Sequence, residues 1–170
     1  AHFNQVQAGQ LSQPDALAEA RRRGGVTAEL VNQLLALNTR LLLVTIPDLG
    51  NSPFAIAAEQ LVAGSRVLLS NLTSQYNTYL RTGIDSAKYD GRNYGLVLGD
   101  DIVASAVSAP TSYLGSPANV IDAVCVVALP YCTSAPADLV PDGSSGGYLW
   151  ADSRHVGASM HSQLAAQATS

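Results

Sequence analysis

The chain has 170 residues, 47% of them hydrophobic and 13% charged, with a formal net charge of −4. That is enough chain for one domain with a core, and too apolar and too weakly charged for a disordered one. No basic cluster exceeds Arg21-Arg22-Arg23, which argues against nucleic acid as a partner, and no apolar run approaches the roughly 20 residues of a membrane-spanning helix, Leu41 to Ile46 being strand-sized.

The chain starts at Ala1 without a methionine, and a processed or truncated N-terminus is the simplest reading of that start. Ala1 to Gln13 reads as an irregular lead-in. Ser12 as N-cap, Pro14 in the first turn and Asp15 at the positive end of the dipole predict a helix from about Pro14 to Leu37, kinked or broken at Gly24-Gly25. Leu41 to Ile46 is apolar without alternation, the pattern of a strand buried on both faces as in a parallel sheet. It runs into Pro47-Asp48-Leu49-Gly50-Asn51-Ser52-Pro53, a polar loop at the carboxyl end of a strand, where α/β proteins place their sites; it equally fits an ordinary connection with Ser52 capping a helix that has Pro53 at its first position. Pro53 to Thr82 is helical with a break near Gly64. Asp90-Gly91 marks a turn, Tyr94 to Leu98 a second buried strand, and Ile102 to Ser108 a short helix with Asp100 or Asp101 as its cap.

From 109 to 147 the chain is rich in Pro, Gly, Ser and Ala and predicts a long, mostly irregular excursion. It contains both cysteines, Cys125 and Cys132, with six residues between them. That spacing suits a small loop-closing disulfide; two free thiols in a reducing compartment are the alternative. Lys88 is the single lysine, and Asn, Gln, Ser and Thr are abundant, a composition resembling that of exported bacterial proteins. Helices alternating with strands mean α/β with a parallel sheet. Two strands make too small a parallel sheet to close its edges, so the 170 residues read as a single partial domain belonging to a larger sheet.

Near the end stands Tyr148-Leu149-Trp150-Ala151-Asp152-Ser153-Arg154-His155-Val156-Gly157. Asp-x-x-His places a carboxylate and an imidazole on one tight turn, where the carboxylate orients the ring, fixes its tautomer and stabilises the imidazolium. The same residues also read as a helix start, with Asp152 as N-cap and His155 as a surface histidine. Val156 to Gln167 is expected to close the chain as a helix. His161, six residues after His155, is expected off the face of His155, and His2 has no evident partner. Dispersed histidines make no metal site, no third ligand accompanies Asp152 and His155, and no cofactor is expected.

Three stretches in this order resemble the C-terminal half of the GDSL/SGNH-type serine esterases and lipases, of the bacterial secreted or autotransporter-passenger kind. They are the strand ending in Pro47-Asp48-Leu49-Gly50 with Ser52-Pro53; Ala109-Pro110-Thr111-Ser112-Tyr113 with Asn119-Val120 and Cys125; and the Tyr148 to His155 block with the helix after it. The resemblance implies part of a three-layer, flavodoxin-like parallel-sheet domain lacking its N-terminal strands. It also implies a carboxylic-ester hydrolase working through a Ser-His-Asp triad, with His155 as general base and Asp152 as its orienting carboxylate. The chain departs from that pattern in two places. Val156-Gly157 stands where the family has Pro-Thr, and Gly-Asp-Ser, the family's nucleophile motif, does not occur: Gly99-Asp100 is followed by Asp101, and Asp142-Gly143-Ser144 has the wrong order. Neither the oxyanion-hole glycine nor its asparagine block is visible, Asn4 lying about where that block would end but without matching neighbours. The implied partners are therefore an ester substrate (acyl ester, lipid or polymer) and a second chain or fragment carrying the Gly-Asp-Ser nucleophile and the oxyanion hole; the implied location is secreted, periplasmic or on the outer membrane or cell surface. The alternative function is a non-catalytic α/β binding or adhesion module related to the esterases.

Overall fold

The computed structural model describes residues 2–85, 87 and 92–169; the expected Asp90-Gly91 turn lies outside the described residues. The lead-in is not irregular. Its residues form a short helix, α1 (His2–Gln7), because Phe3 has somewhere to go: it is buried, edge-on to Phe54 with ring centroids 5.6 Å apart. Helix α2 (Gln13–Ala36) starts as expected, with Ser12 Oγ accepting the Asp15 amide at 3.2 Å and Pro14 in the first turn.

Gly24-Gly25 does not interrupt α2. Gly24 is buried where α2 lies along α4 (Ser65–Gly83), and a Cβ there would run into the Tyr76 carbonyl, whereas a Cβ on Gly25 would meet nothing. Gly24 therefore serves a close helix approach, and the packing gained outweighs the roughly 1 kcal/mol per glycine that weakens an isolated helix. Helix α3 (Pro53–Leu61) is capped by Ser52, and the chain turns into α4 at Gly64, whose φ of +86° suits glycine.

Strands β1 (Leu41–Val44) and β2 (Tyr94–Val97) pair in parallel, Leu41 opposite Tyr94 and Val44 opposite Val97. On one face Leu41, Leu43 and Tyr94 pack against Val31, Leu35 and Leu80 of α2 and α4. The expectation of a strand buried on both faces is not met: on the other face Leu42 is 52% and Val44 43% exposed. Helices α2 and α4 cover the face of β1 that carries Leu41 and Leu43, while the last helix, α7 (Ala158–Ala168), approaches beyond the end of β2, where Leu164 stands beside Gly99.

Helices α5 (Gly99–Ser108) and α6 (Pro110–Tyr113) lead to a second parallel pair, β3 (Asn119–Ala123) and β4 (Tyr148–Trp150). The 109–147 excursion is thus less irregular than expected; it holds α6, β3 and a 3-10 turn at Pro136–Asp138, and it is closed by a Cys125–Cys132 disulfide. Leu149, Trp150 and Met160 are fully buried against Val103, Ala106 and Leu114. The architecture is mixed α/β with parallel strands, which among the described residues form two two-stranded sheets where one was expected. Among the described residues no helix is long and apolar enough to cross a membrane.

Candidate active site

Strand β4 delivers the Asp152 turn from the best-packed part of the molecule. Trp150 has no exposed surface, and its indole N–H donates to the Val120 carbonyl at 3.1 Å, locking β4 to β3. Beyond Trp150 the chain folds back on itself: the Ala151 amide donates to the His155 carbonyl at 2.8 Å, and Trp150 bridges to Val156. This closed loop leaves Asp152 and His155 on an exposed turn standing on a rigid base.

Within the turn the Asp152 carboxylate is shared out. Oδ1 accepts the amides of Arg154 and His155, each at 2.7 Å, and Oδ2 faces His155 Nδ1 at 2.8 Å. Asp152 is therefore not the cap of the final helix. That helix begins only at Ala158, with Gly157 in the cap position and no side-chain cap, because the bridge to Val156 uses the residues expected to start it. Burial pushes the Asp152 carboxyl up, but the two amides and the His155 ring outweigh it and hold the group below the usual aspartate range. An ionised carboxylate only accepts hydrogen bonds, so Nδ1 is the donor and Nε2 carries the lone pair, the arrangement a general base requires. The His155 side chain is 68% exposed and that of Asp152 30%, so the ring is held at its root and open at Nε2. Among the described residues no serine hydroxyl is hydrogen-bonded to His155.

Two flanks meet at this turn. On one, the Ser153 carbonyl accepts the Phe54 amide at 2.9 Å and the Arg154 guanidinium lies 4.0 Å from the centre of the Phe54 ring. The first turn of α3, directly after the Pro47–Pro53 loop, thereby touches the Asp152 turn. Its own aspartate is structural: Asp48 Oδ1 accepts the Gly50 amide at 2.8 Å and Oδ2 the Ser70 hydroxyl at 2.9 Å. On the other flank His155 borders a cavity of about 380 Å³ that His161 also lines. The expectation that His161 faces elsewhere is corrected here. It came from helical spacing, which does not apply because His155 sits in the turn before the helix.

A second polar cluster went unforeseen. At the carboxyl ends of β1 and β2, Asp100 accepts from Thr45 and Asn77 and pairs with Arg81 through both oxygens. Asp100 was expected to cap α5; it sits inside the first turn instead, and its long-range partners leave no trace in the local sequence. His2 bonds Gln5 at 2.8 Å and takes no part in the site. Among the described residues no group of three or more His, Cys, Asp or Glu side chains is placed to hold a metal ion. A scan against known protein families finds no matching model, and a search of curated proteins finds no relative. The functional reading rests on the residues and their geometry.

Proposed function

We propose that this chain is the proton-handling part of a carboxylic-ester hydrolase with a Ser-His-Asp triad, His155 acting as general base and Asp152 orienting it. The serine and the oxyanion donors come from a separate N-terminal fragment, and the parent fold is the three-layer parallel-sheet domain of the SGNH esterases. One observation carries the reading: His155 Nδ1 meets Asp152 Oδ2 at 2.8 Å while the other carboxylate oxygen is held by two backbone amides. That arrangement fixes the tautomer and leaves Nε2 to take the serine proton and return it to the leaving alcohol. Among the described residues β1 pairs with β2 alone, and its other edge is where further strands would add. The disulfide accords with a secreted or surface location.

The test is reconstitution. With a fragment bearing Gly-Asp-Ser, a fluorophosphonate probe labels the serine and a nitrophenyl ester turns over. His155→Ala lowers turnover roughly 10⁴-fold or more, and Asp152→Asn by a comparable order. Ester turnover by this chain alone, or turnover in the reconstituted enzyme indifferent to His155, overturns the proposal. If no such fragment exists, the non-catalytic binding module is the correct reading.

A further inference from the structure

We infer that the cavity beside His155 seats an uncharged acyl chain of medium length, with the disulfide loop as its wall. The word acyl rests on the esterase reading above; the apolar character of the ligand rests on the cavity alone. Val124, Leu129 and Leu139 line it from the loop, Val156 from the site turn, and the Cys125–Cys132 bridge closes one side. Val124 and Leu139 are buried and form the floor, while Leu129 is more exposed and stands at the rim. No Asp, Glu, Lys or Arg lines the space. Its polar lining is Thr133, Ser134, Ser145 and the imidazoles of His155 and His161, so an ammonium entering it would lose its water without a carboxylate to pair with and an anion would meet no lysine or arginine, whereas each methylene gains by leaving water. A separate space at the ends of β1 and β2 is the reverse case: about 240 Å³, with Asp48, Arg81 and Asp100 in its lining. His155 places the reacting end of a bound ester at the mouth of the apolar cavity.

Size narrows the ligand further. A volume of about 380 Å³ lies at the low end of the roughly 300–1,000 Å³ usual for ligand sites. It suits one arm of an ester. An acetyl group would leave most of the floor without contacts. The wall is also formed in advance, which lowers the cost of ordering it around a ligand. The Cys125 amide donates to the Ala151 carbonyl at 2.9 Å, the Val126 amide to the Asp138 carbonyl at 2.8 Å, and the Thr133 amide to the Asp138 carboxylate at 2.9 Å.

The experiment is a methyl-detected NMR titration of this chain with three probes: methyl octanoate, methyl acetate and the octanoate anion. Methyl octanoate is expected to shift the methyl signals of Val124, Leu129, Leu139 and Val156 saturably, with methyl acetate and octanoate at least about ten-fold weaker. Leu129→Trp, a change at the rim that the fold tolerates, is expected to weaken methyl octanoate about ten-fold, and Leu139→Trp fills the floor. Unmoved signals at these four residues, equal binding of the three probes, or shifts confined to Leu61 and Val62, which line a separate cavity of about 500 Å³, overturn the inference. Binding here is read without turnover, so the two proposals fail separately. His155-dependent hydrolysis without methyl octanoate binding sinks only the cavity assignment. Methyl octanoate binding with no hydrolysis in the reconstituted enzyme sinks only the esterase.

Discussion

Asp152 does two jobs with one carboxylate: it shapes its own turn through two amides and aims the His155 ring. Because the interaction is made within four residues, Asp-x-x-His was legible in the sequence. The role of Asp152 in the backbone was not, since a helix cap and a self-capped turn look alike until the bridge between Trp150 and Val156 is known. The depressed Asp152 pKa sets a direction for stability. A carboxyl whose folded pKa lies below its unfolded value of about 3.9 stabilises above that value and loses the contribution as pH falls through the folded pKa. Urea unfolding should therefore show Asp152→Ala less stable than wild type at pH 6, with the gap narrowing below about pH 4. A gap independent of pH would show that the carboxylate's charge contributes nothing.

Among the elements, α2 is the plainest contrast between local and global control. Its N-terminus followed from Ser12 and Pro14, and its apolar face from spacing, but Gly24-Gly25 pointed to a break that packing overrides. The two glycines should behave oppositely. Gly24→Val drives a side chain into the α4 backbone and should cost about 2 kcal/mol or more, while Gly25→Ala, facing open space, should stabilise by about 0.5–1 kcal/mol. Denaturation midpoints of the two variants check both signs. Strand β3 was missed for a related reason: within a Pro- and Ser-rich stretch its five residues carry no alternation, and only pairing with β4 makes them a strand. The cysteine spacing suited a closed loop but left two free thiols open, and only the fold brings the pair to bonding distance.

At the scale of the whole molecule, parallel α/β character was readable from the order of elements, and the division into two small sheets was not, because sheet membership is decided by long-range pairing. Several large apolar side chains stand open to solvent. Leu42 and Val44 lie open on β1, and Leu30, Leu34 and Leu37 are exposed along α2. Such patches mark surfaces that pair with something. The chain alone should bind an apolar dye such as anilinonaphthalene sulfonate without denaturant, and Leu42→Asn with Val44→Thr should cut that fluorescence by about half at unchanged helix content. Dye binding unaffected by these changes would place the patch elsewhere.

The hydrogen bond from the Phe54 amide to the Ser153 carbonyl joins segments far apart in the chain, so it forms only once both have been brought together. The cost of closing so long a loop puts this contact late in folding. It also makes the Phe54 amide a reporter. Its deuterium exchange should follow the docking of the Asp152 turn rather than the fraying of α3, so one proton reads whether the site is assembled before any substrate is added.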